Sequence, residues 1–176
     1  MKNKSSEVYL LLGSNKGDCY EMLKQSCEMI GRNCGKIVKK SSIYITSPWE
    51  FHDDHNFLNQ VLLLQTSLSP KVLLNKIQII ELILGRVHYH DYYESRFIDI
   101  DILFYDKELI RDANLCIPHP LLHKRLFTLI PLAEISGNFM HPLLKKSISD
   151  LIKTCPDNSM IKKYTNVFSD NYSVGQ

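Results

Sequence analysis

Arg96-Phe97-Ile98-Asp99-Ile100-Asp101-Ile102-Leu103-Phe104-Tyr105 has the period of two that marks a β-strand. Ile98, Ile100, Ile102 and Phe104 fall on one face, and Asp99, Asp101, Leu103 and Tyr105 on the other. A solvated face would stay polar along its length, whereas this one turns apolar after Asp101, so the strand should be covered on both sides. Aspartate is a poor strand former, and two of them at the mouth of a buried strand call for an explanation. Residues at i and i+2 point the same way with Cα atoms roughly 6.5–7 Å apart. Two carboxylates so placed can share hard cations such as Mg²⁺, which take oxygen ligands. A charged face at a sheet edge is the plainer alternative.

The remaining chain sets bounds on what such a pair could serve. At 176 residues it is long enough for one well-cored domain, assigned to residues 1–155, with a polar tail over 156–176. Apolar residues make up 44% and charged residues 23%, values of a soluble globular protein, and the net charge of +2 leaves no footprint of a nucleic-acid binder. Five cysteines, odd in number and without a C-x-x-C pair, point to free thiols in a reducing compartment. The first residues carry no signal-peptide or spanning pattern, so a cytoplasmic protein without membrane or nucleic-acid partners, working as a monomer, is expected.

Upstream, Val8–Leu12 reads as a first buried strand, ended by the turn Gly13-Ser14-Asn15-Lys16-Gly17-Asp18. No G-x-x-x-x-G-K-[ST] phosphate loop is present. Cys19, Met22, Leu23, Cys27 and Ile30 have helical spacing and lead to Gly31. Ile37–Ile45 reads as a second strand and Phe57–Thr66 as a third. Ser69-Pro70 opens a second helix that stops at Gly85. With the Asp-x-Asp strand the order is β-α-β-β-α-β, a ferredoxin-like α+β arrangement. Asp106-Lys107 then suggests a hairpin turn into Glu108–Ile110, followed by a helical piece ending near Ile130 and another over Ser147–Lys153. From Pro156 onward the chain looks patternless.

Arg86 and Arg96 bracket the loop before the Asp-x-Asp strand, and Arg125 lies beyond it. Carboxylates for magnesium and arginines for phosphate oxygens are the minimum kit for phosphoryl transfer, although a single arginine is more often a surface ion-pair partner. His88-x-His90 and His119-x-x-x-His123 have ligand-like spacing, but without a nearby cysteine they are read as non-zinc, and His119 as a phosphate contact. Trp49, Phe51, Phe57, Tyr92, Tyr93 and Phe127 lie on or beside loops, where aromatics can stack a flat heterocycle. Asn59 interrupts an apolar strand, and its amide could read the edge of a purine- or pterin-like ring or simply satisfy backbone groups. Glu81 interrupts the apolar face of the second helix.

Several segments in this order resemble the 6-hydroxymethyl-7,8-dihydropterin pyrophosphokinase family over roughly Glu7 to Leu151. They are Leu12-Gly13-Ser14-Asn15, Ser41-Ser42-Ile43-Tyr44 with Thr46, Phe57-Leu58-Asn59-Gln60, and Glu81 with Gly85-Arg86-Val87. Arg96–Leu103 and Ile117-Pro118-His119-Pro120 with Arg125 and Phe127 complete the set. The resemblance implies an enzyme of folate biosynthesis that moves the β,γ-diphosphate of ATP to the pterin hydroxymethyl and releases AMP. It implies two Mg²⁺ ions on Asp99 and Asp101, with Arg86 and Arg96 as catalytic arginines on the phosphates. Thr46, Ser47, Trp49, Phe57, Asn59, Tyr93 and Phe127 would surround the pterin. Gln78, Glu81, Arg86, His88, Arg96, Ile102, Leu115, His119 and Arg125 would surround ATP. The chain departs from the family between Arg86 and Arg96, where Tyr93-Glu94-Ser95-Arg96 stands in place of Trp-Gly-Pro-Arg or Tyr-Gly-Pro-Arg. A nucleotidyl transferase or cyclase with paired strand aspartates, and a non-catalytic RNA-binding module, are the rival readings.

Overall fold

A computed structural model describes residues 5–48, 55–85 and 97–165. Among them, β1 (Ser6–Ser14) is a central strand, antiparallel to β4 (Phe57–Thr66) on one side and to β5 (Asp99–Tyr105) on the other. The short strands β2 (Lys36–Lys40) and β3 (Tyr44–Thr46) both pair with the far side of β4. With helices α1 (Cys19–Asn33) and α2 (Pro70–Ile83) as crossovers, this is the β-α-β-β-α-β arrangement expected from the sequence.

Two apolar layers enclose the sheet. Val8, Leu10 and Leu12 of β1 face Leu23, Cys27 and Ile30 of α1 and Leu73, Ile77 and Ile80 of α2. Tyr9 and Leu11 face the opposite layer, built on α3 (Leu126–Ser136) and α4 (Ile148–Lys153). Burial on both faces is why neither β1 nor β4 shows an apolar/polar alternation. Local chemistry sets the helix starts: the Asp18 side chain accepts from the Glu21 N–H at 3.0 Å, and Pro70 occupies the first turn of α2.

Several expectations need correction. The single strand over Ile37–Ile45 is two strands, because the ladder is only half kept at Ser41: its N–H donates to the Val61 carbonyl at 2.9 Å, but the Val61 N–H goes to its hydroxyl at 2.9 Å and its carbonyl accepts the Gln60 side-chain amide at 2.8 Å. The strict alternation of β5 breaks at a bulge: Tyr9 pairs with Phe104 and Leu10 with Ile102, leaving Leu103 as the extra residue. Phe104 therefore joins Leu103 in the α3 layer, and Tyr105 turns to the α1/α2 layer, the reverse of their assignment from the period of two. Asp106 does not fold β6 (Ile110–Asp112) back on β5. Its φ is +45°, and it exchanges hydrogen bonds with Glu7, so the chain leaves the sheet and β6 pairs with β7 (Leu115–Ile117). Finally, the chain after Pro156 is not patternless: β8 (Ile161–Lys163) extends the sheet by pairing with β3.

The helical piece expected to end near Ile130 continues as α3 through Pro131 to Ser136. Glu134 of α3 ties this helix to the sheet margin. Its carboxylate accepts from the Ser42 N–H and hydroxyl and from the Tyr44 hydroxyl at 2.8 Å, with Lys163 at 3.5 Å. Burial and the Glu134 charge push the Tyr44 phenol up to about 12, so it remains a donor. No helix among the described residues is long and apolar enough to cross a membrane.

Candidate active site

The register brings the two distinctive polar positions of the sequence onto one face. Gly13 pairs with Asn59 of β4 on one side and with Asp99 of β5 on the other. Directly paired residues share a face, so Asp99 and Asn59 point to the α3 side, where Phe57 and Asp101 follow at steps of two. Strands lie roughly 4.8 Å apart, which puts about 10 Å between the Asn59 and Asp99 backbones.

The neutral end of this row is internally organised. Asn59 is 3% exposed and Thr46 2%. The Asn59 amide nitrogen donates to the Thr46 hydroxyl oxygen at 2.8 Å, which leaves its Oδ1 on the Gly13 side. A methyl at Gly13 would stand 3.0 Å from that oxygen and 4.0 Å from the Phe57 ring, so glycine keeps the surface beside the amide open. Phe127, in the first turn of α3, packs partly buried against the same layer, with the Arg125 guanidinium 5.5 Å from its ring centre. Ser47 lies exposed where β3 ends.

The charged end is more open. Asp101 has a side chain 32% exposed, and the Nε2 of His119 stands 3.9 Å from its carboxylate, too far for a hydrogen bond. The His119 N–H donates to the Leu103 carbonyl at 3.0 Å, which anchors this residue to the outer edge of β5. Its Nδ1 accepts the Leu121 N–H at 3.3 Å, so the neutral ring carries its proton on Nε2, towards Asp101. Burial, and then the Arg125 charge, lower its pKa to about 4 against a smaller opposing pull from Asp99. His119, Arg125 and the aspartates thus form one electrostatic group.

Four expected nucleotide residues do not share that face. Glu81 is 2% exposed and lies on the α1/α2 side, where its Oε1 accepts the Ile100 N–H at 2.8 Å, between the two aspartates. Ile102 and Leu115 are buried in the same layer, and Gln78 is exposed on α2. Ile100 turns its N–H to the outer edge of β5, and by the period of two so does Ile102, so any part Ile102 plays at a ligand falls to its backbone. Trp49, Arg86, His88, Tyr93 and Arg96 lie outside the described residues. The sequence places Gly13 in the turn after the first strand, whereas β1 runs on through Ser14 and Gly13 is a paired strand residue opposite Asn59; a glycine at the end of a buried run was a usable sign of close approach.

Among the described residues no group of three or more His, Cys, Asp or Glu side chains gathers as a metal cage. Two adjacent carboxylates do suit Mg²⁺, which keeps several waters and commonly binds through one or two carboxylates plus substrate phosphates. Such a pair with Arg125 and His119 beside it, on a ferredoxin-like sheet, is the equipment of a phosphoryl-group transferase. A family model described as 7,8-dihydro-6-hydroxymethylpterin-pyrophosphokinase (HPPK) matches residues 9–137, and the chain belongs to that family. It is 40% identical over 153 residues to the 2-amino-4-hydroxy-6-hydroxymethyldihydropteridine pyrophosphokinase of Aquifex aeolicus, covering 87% of this chain and 92% of that protein. The Haemophilus influenzae protein of the same name is 36% identical over 156 residues, covering 88% and 96%. The folic acid synthesis protein fol1 of Pneumocystis carinii is 39% identical over 153 residues, but this chain spans only 20% of its length. Wild-type HPPK-DHPS of Plasmodium falciparum shares the fold, with a TM-score of 0.72 at 16% identity over 86% of this chain and 43% of that one.

Proposed function

We propose that this protein transfers the β,γ-diphosphate of ATP to the hydroxymethyl group of 6-hydroxymethyl-7,8-dihydropterin, a step of folate biosynthesis. The hydroxymethyl oxygen attacks the β-phosphorus, the bond from that phosphorus to the α,β-bridging oxygen breaks, AMP leaves with the bridging oxygen, and the hydroxyl proton is released. The observation that carries the reading is the row Asn59–Gly13–Asp99, which puts the backbone of an asparagine, whose amide suits a pterin edge, about 10 Å from the backbone of the first aspartate on the same face. A backbone spacing of that order leaves room on the face for a bicyclic ring with its hydroxymethyl arm turned towards β5.

In this reading Asn59 orients the ring edge, held in place by Thr46, while Phe57 and Phe127 flank the ring faces and Ser47 lines the rim. Trp49 and Tyr93 are assigned to the same pocket through the family resemblance. Asp99 lies in the acceptor's row and Asp101 one step further from it, so Asp99 is the nearer to the attacking hydroxyl. The two carboxylates would hold two Mg²⁺ ions, which when bound with ATP neutralise phosphate charge and align the attacking and leaving oxygens. His119 presents an Nε2–H donor and Arg125 a fixed positive charge to the nucleotide phosphates, with Arg86, His88 and Arg96 assigned there by resemblance. Gln78 and Leu115 flank the nucleotide, Ile102 offers its backbone at the edge of β5, and Glu81 holds the strand between the two aspartates. The protein acts as a monomer in the cytoplasm.

Mixing the protein with ATP, Mg²⁺ and the hydroxymethyldihydropterin, and following nucleotides by chromatography, tests this directly. AMP should accumulate only when the pterin is present. Release of pyrophosphate without pterin-dependent AMP would favour a nucleotidyl transferase and overturn the reading.

A further inference from the structure

The helix that supplies Arg125 and Phe127 begins without a cap of its own. Arg125 is the N-cap residue of α3 and makes no capping hydrogen bond with its side chain. Its carbonyl takes the N–H groups of Thr128 and Leu129 at 3.1 and 3.0 Å, but the N–H of Leu126 has no intrahelical acceptor by geometry. Further along, Pro131 has no N–H with which to bond the Phe127 carbonyl, so this first turn is short of helical bonds at both ends.

The missing acceptor arrives from 31 residues away. The Asp157 Oδ2 accepts the Leu126 N–H at 2.8 Å, and its Oδ1 accepts the Ser159 N–H at 2.8 Å, which fixes the carboxylate by both oxygens. A carboxylate at a helix N-terminus is also favoured by the helix dipole. Four residues beyond Asp157 the same segment enters β8, where Ile161 pairs with Thr46, the residue that holds Asn59. Tyr164 closes the run, its N–H donating to the Ile43 carbonyl at 2.8 Å and its ring stacking on Tyr20 at 5.8 Å. One short segment therefore touches the α3 wall at Leu126 and the β3 wall at Thr46. It lies wholly beyond residues 9–137, the span that the family model matches.

We propose that Asp157 is a positioning residue for the pterin, its carboxylate setting the first turn of α3 and hence the ring of Phe127 and the guanidinium of Arg125. The inference rests on the pterin-pocket reading above. Asp157 touches neither the acceptor nor ATP in this account; it fixes the backbone between two residues that do. Small displacements of a stacking ring are costly, because binding geometry tightens the whole reaction.

The test is steady-state kinetics with thermal melting on the full chain, comparing Asp157→Ala, Asp157→Asn, Ser147→Ala and Phe127→Ala. Ser147 is a matched control: its hydroxyl caps α4 by accepting the Asp150 N–H at 3.1 Å, away from the site. Asp157→Ala should raise the pterin KM about tenfold with kcat changed much less. Asp157→Asn, which keeps an oxygen for the Leu126 N–H, should restore KM to within about twofold of the parent. Ser147→Ala should lower the melting temperature comparably and leave the pterin KM unchanged. If Asp157→Ala melts like Ser147→Ala and its pterin KM is also unchanged, Asp157 is only a cap and the proposal falls. Phe127→Ala separates the two layers of the claim. A raised pterin KM there with a normal one in Asp157→Ala sinks the positioning role alone, whereas a normal KM in Phe127→Ala sinks the pocket reading. Should Asp157→Ala fail to fold, Asp157→Ser, whose hydroxyl is one bond shorter, takes its place with the same expected direction.

Discussion

On the proposed reading, the two ends of the Asn59–Gly13–Asp99 row meet opposite demands on the two strands that flank β1. At the β4 end, Asn59 and Thr46 are almost wholly buried and bonded to each other, so the amide is held in one orientation. At the β5 end, Asp99 and Asp101 sit at the sheet margin with Asp101 about one-third exposed, and the surrounding groups are charged or neutral donors. A neutral ring is recognised by a preformed edge. A polyphosphate brings its own charge and counterions, and its site needs open carboxylates at a fixed spacing. The rigid β5 backbone supplies that spacing, and the buried Glu81 carboxylate on the Ile100 N–H reinforces it from the outer edge.

If the ends are distinct in this way, substitutions should separate by the kinetic constant that they move. The largest effect belongs to Asp99→Ala and Asp101→Ala. Each should lower kcat about a thousandfold or more while the melting temperature stays near that of the parent, since neither side chain is a core group. A near-normal kcat in either variant, measured by AMP release, would remove the metal assignment. Next comes Asn59→Ala, which should act on the pterin and not on ATP. A buried polar partner lost at a recognition edge costs about 1–3 kcal/mol, so the pterin KM should rise roughly 5- to 150-fold with the ATP KM little changed. Equal rises in both constants would mean that the two ends are not separable.

These particular residues also show where the sequence was legible. Asp99 and Asp101 stood out because carboxylates oppose strand propensity, and Asn59 because an amide interrupts an apolar run; both signals are local. The sheet order followed from element order, through the short crossovers that a β-α-β-β-α-β chain allows. The faces of Phe104 and Tyr105 were not legible, since the bulge at Leu103 arises in the register with β1 and leaves no mark in the alternation itself. Glu81 was visible as an anomaly on an apolar helix face, but its bond to Ile100 joins elements 19 residues apart. The same limit hid Asp157 and β8: a polar stretch looks like a tail until its partners on α3 and β3 are in place.

A smaller effect would sharpen the comparison at its midpoint. Gly13→Ala places a methyl 3.0 Å from the Asn59 Oδ1 and leaves the β5 side of the row untouched among the contacts of that methyl. Overpacking of this mild kind costs about 1 kcal/mol, or roughly fivefold in the pterin KM, with kcat and the ATP KM unchanged. A drop in kcat without a change in the pterin KM would show that Gly13 serves the charged end instead.

The smallest effect concerns His119, and the expectation is flatness. With its pKa lowered to about 4 by burial and by Arg125, the free protein carries this ring neutral across ordinary assay conditions. An unfolded histidine takes up its proton below about 6.5, so the lowered value removes stability progressively as pH falls from 6.5 towards 4 and has no effect on stability above that window. The plot of kcat/KM for ATP against pH reports ionisations of the free enzyme and free ATP, and it should show no limb from His119 between about pH 5.5 and 8. His119→Gln, which keeps an N–H donor at similar reach, should lose only a few-fold in kcat/KM and leave the profile's shape unaltered. A limb near pH 6.5 in the parent that vanishes in His119→Gln would mean that the ring works as a cation on the phosphates. The charged end would then depend on pH through a histidine, in place of the fixed charge of Arg125 and a neutral Nε2–H donor.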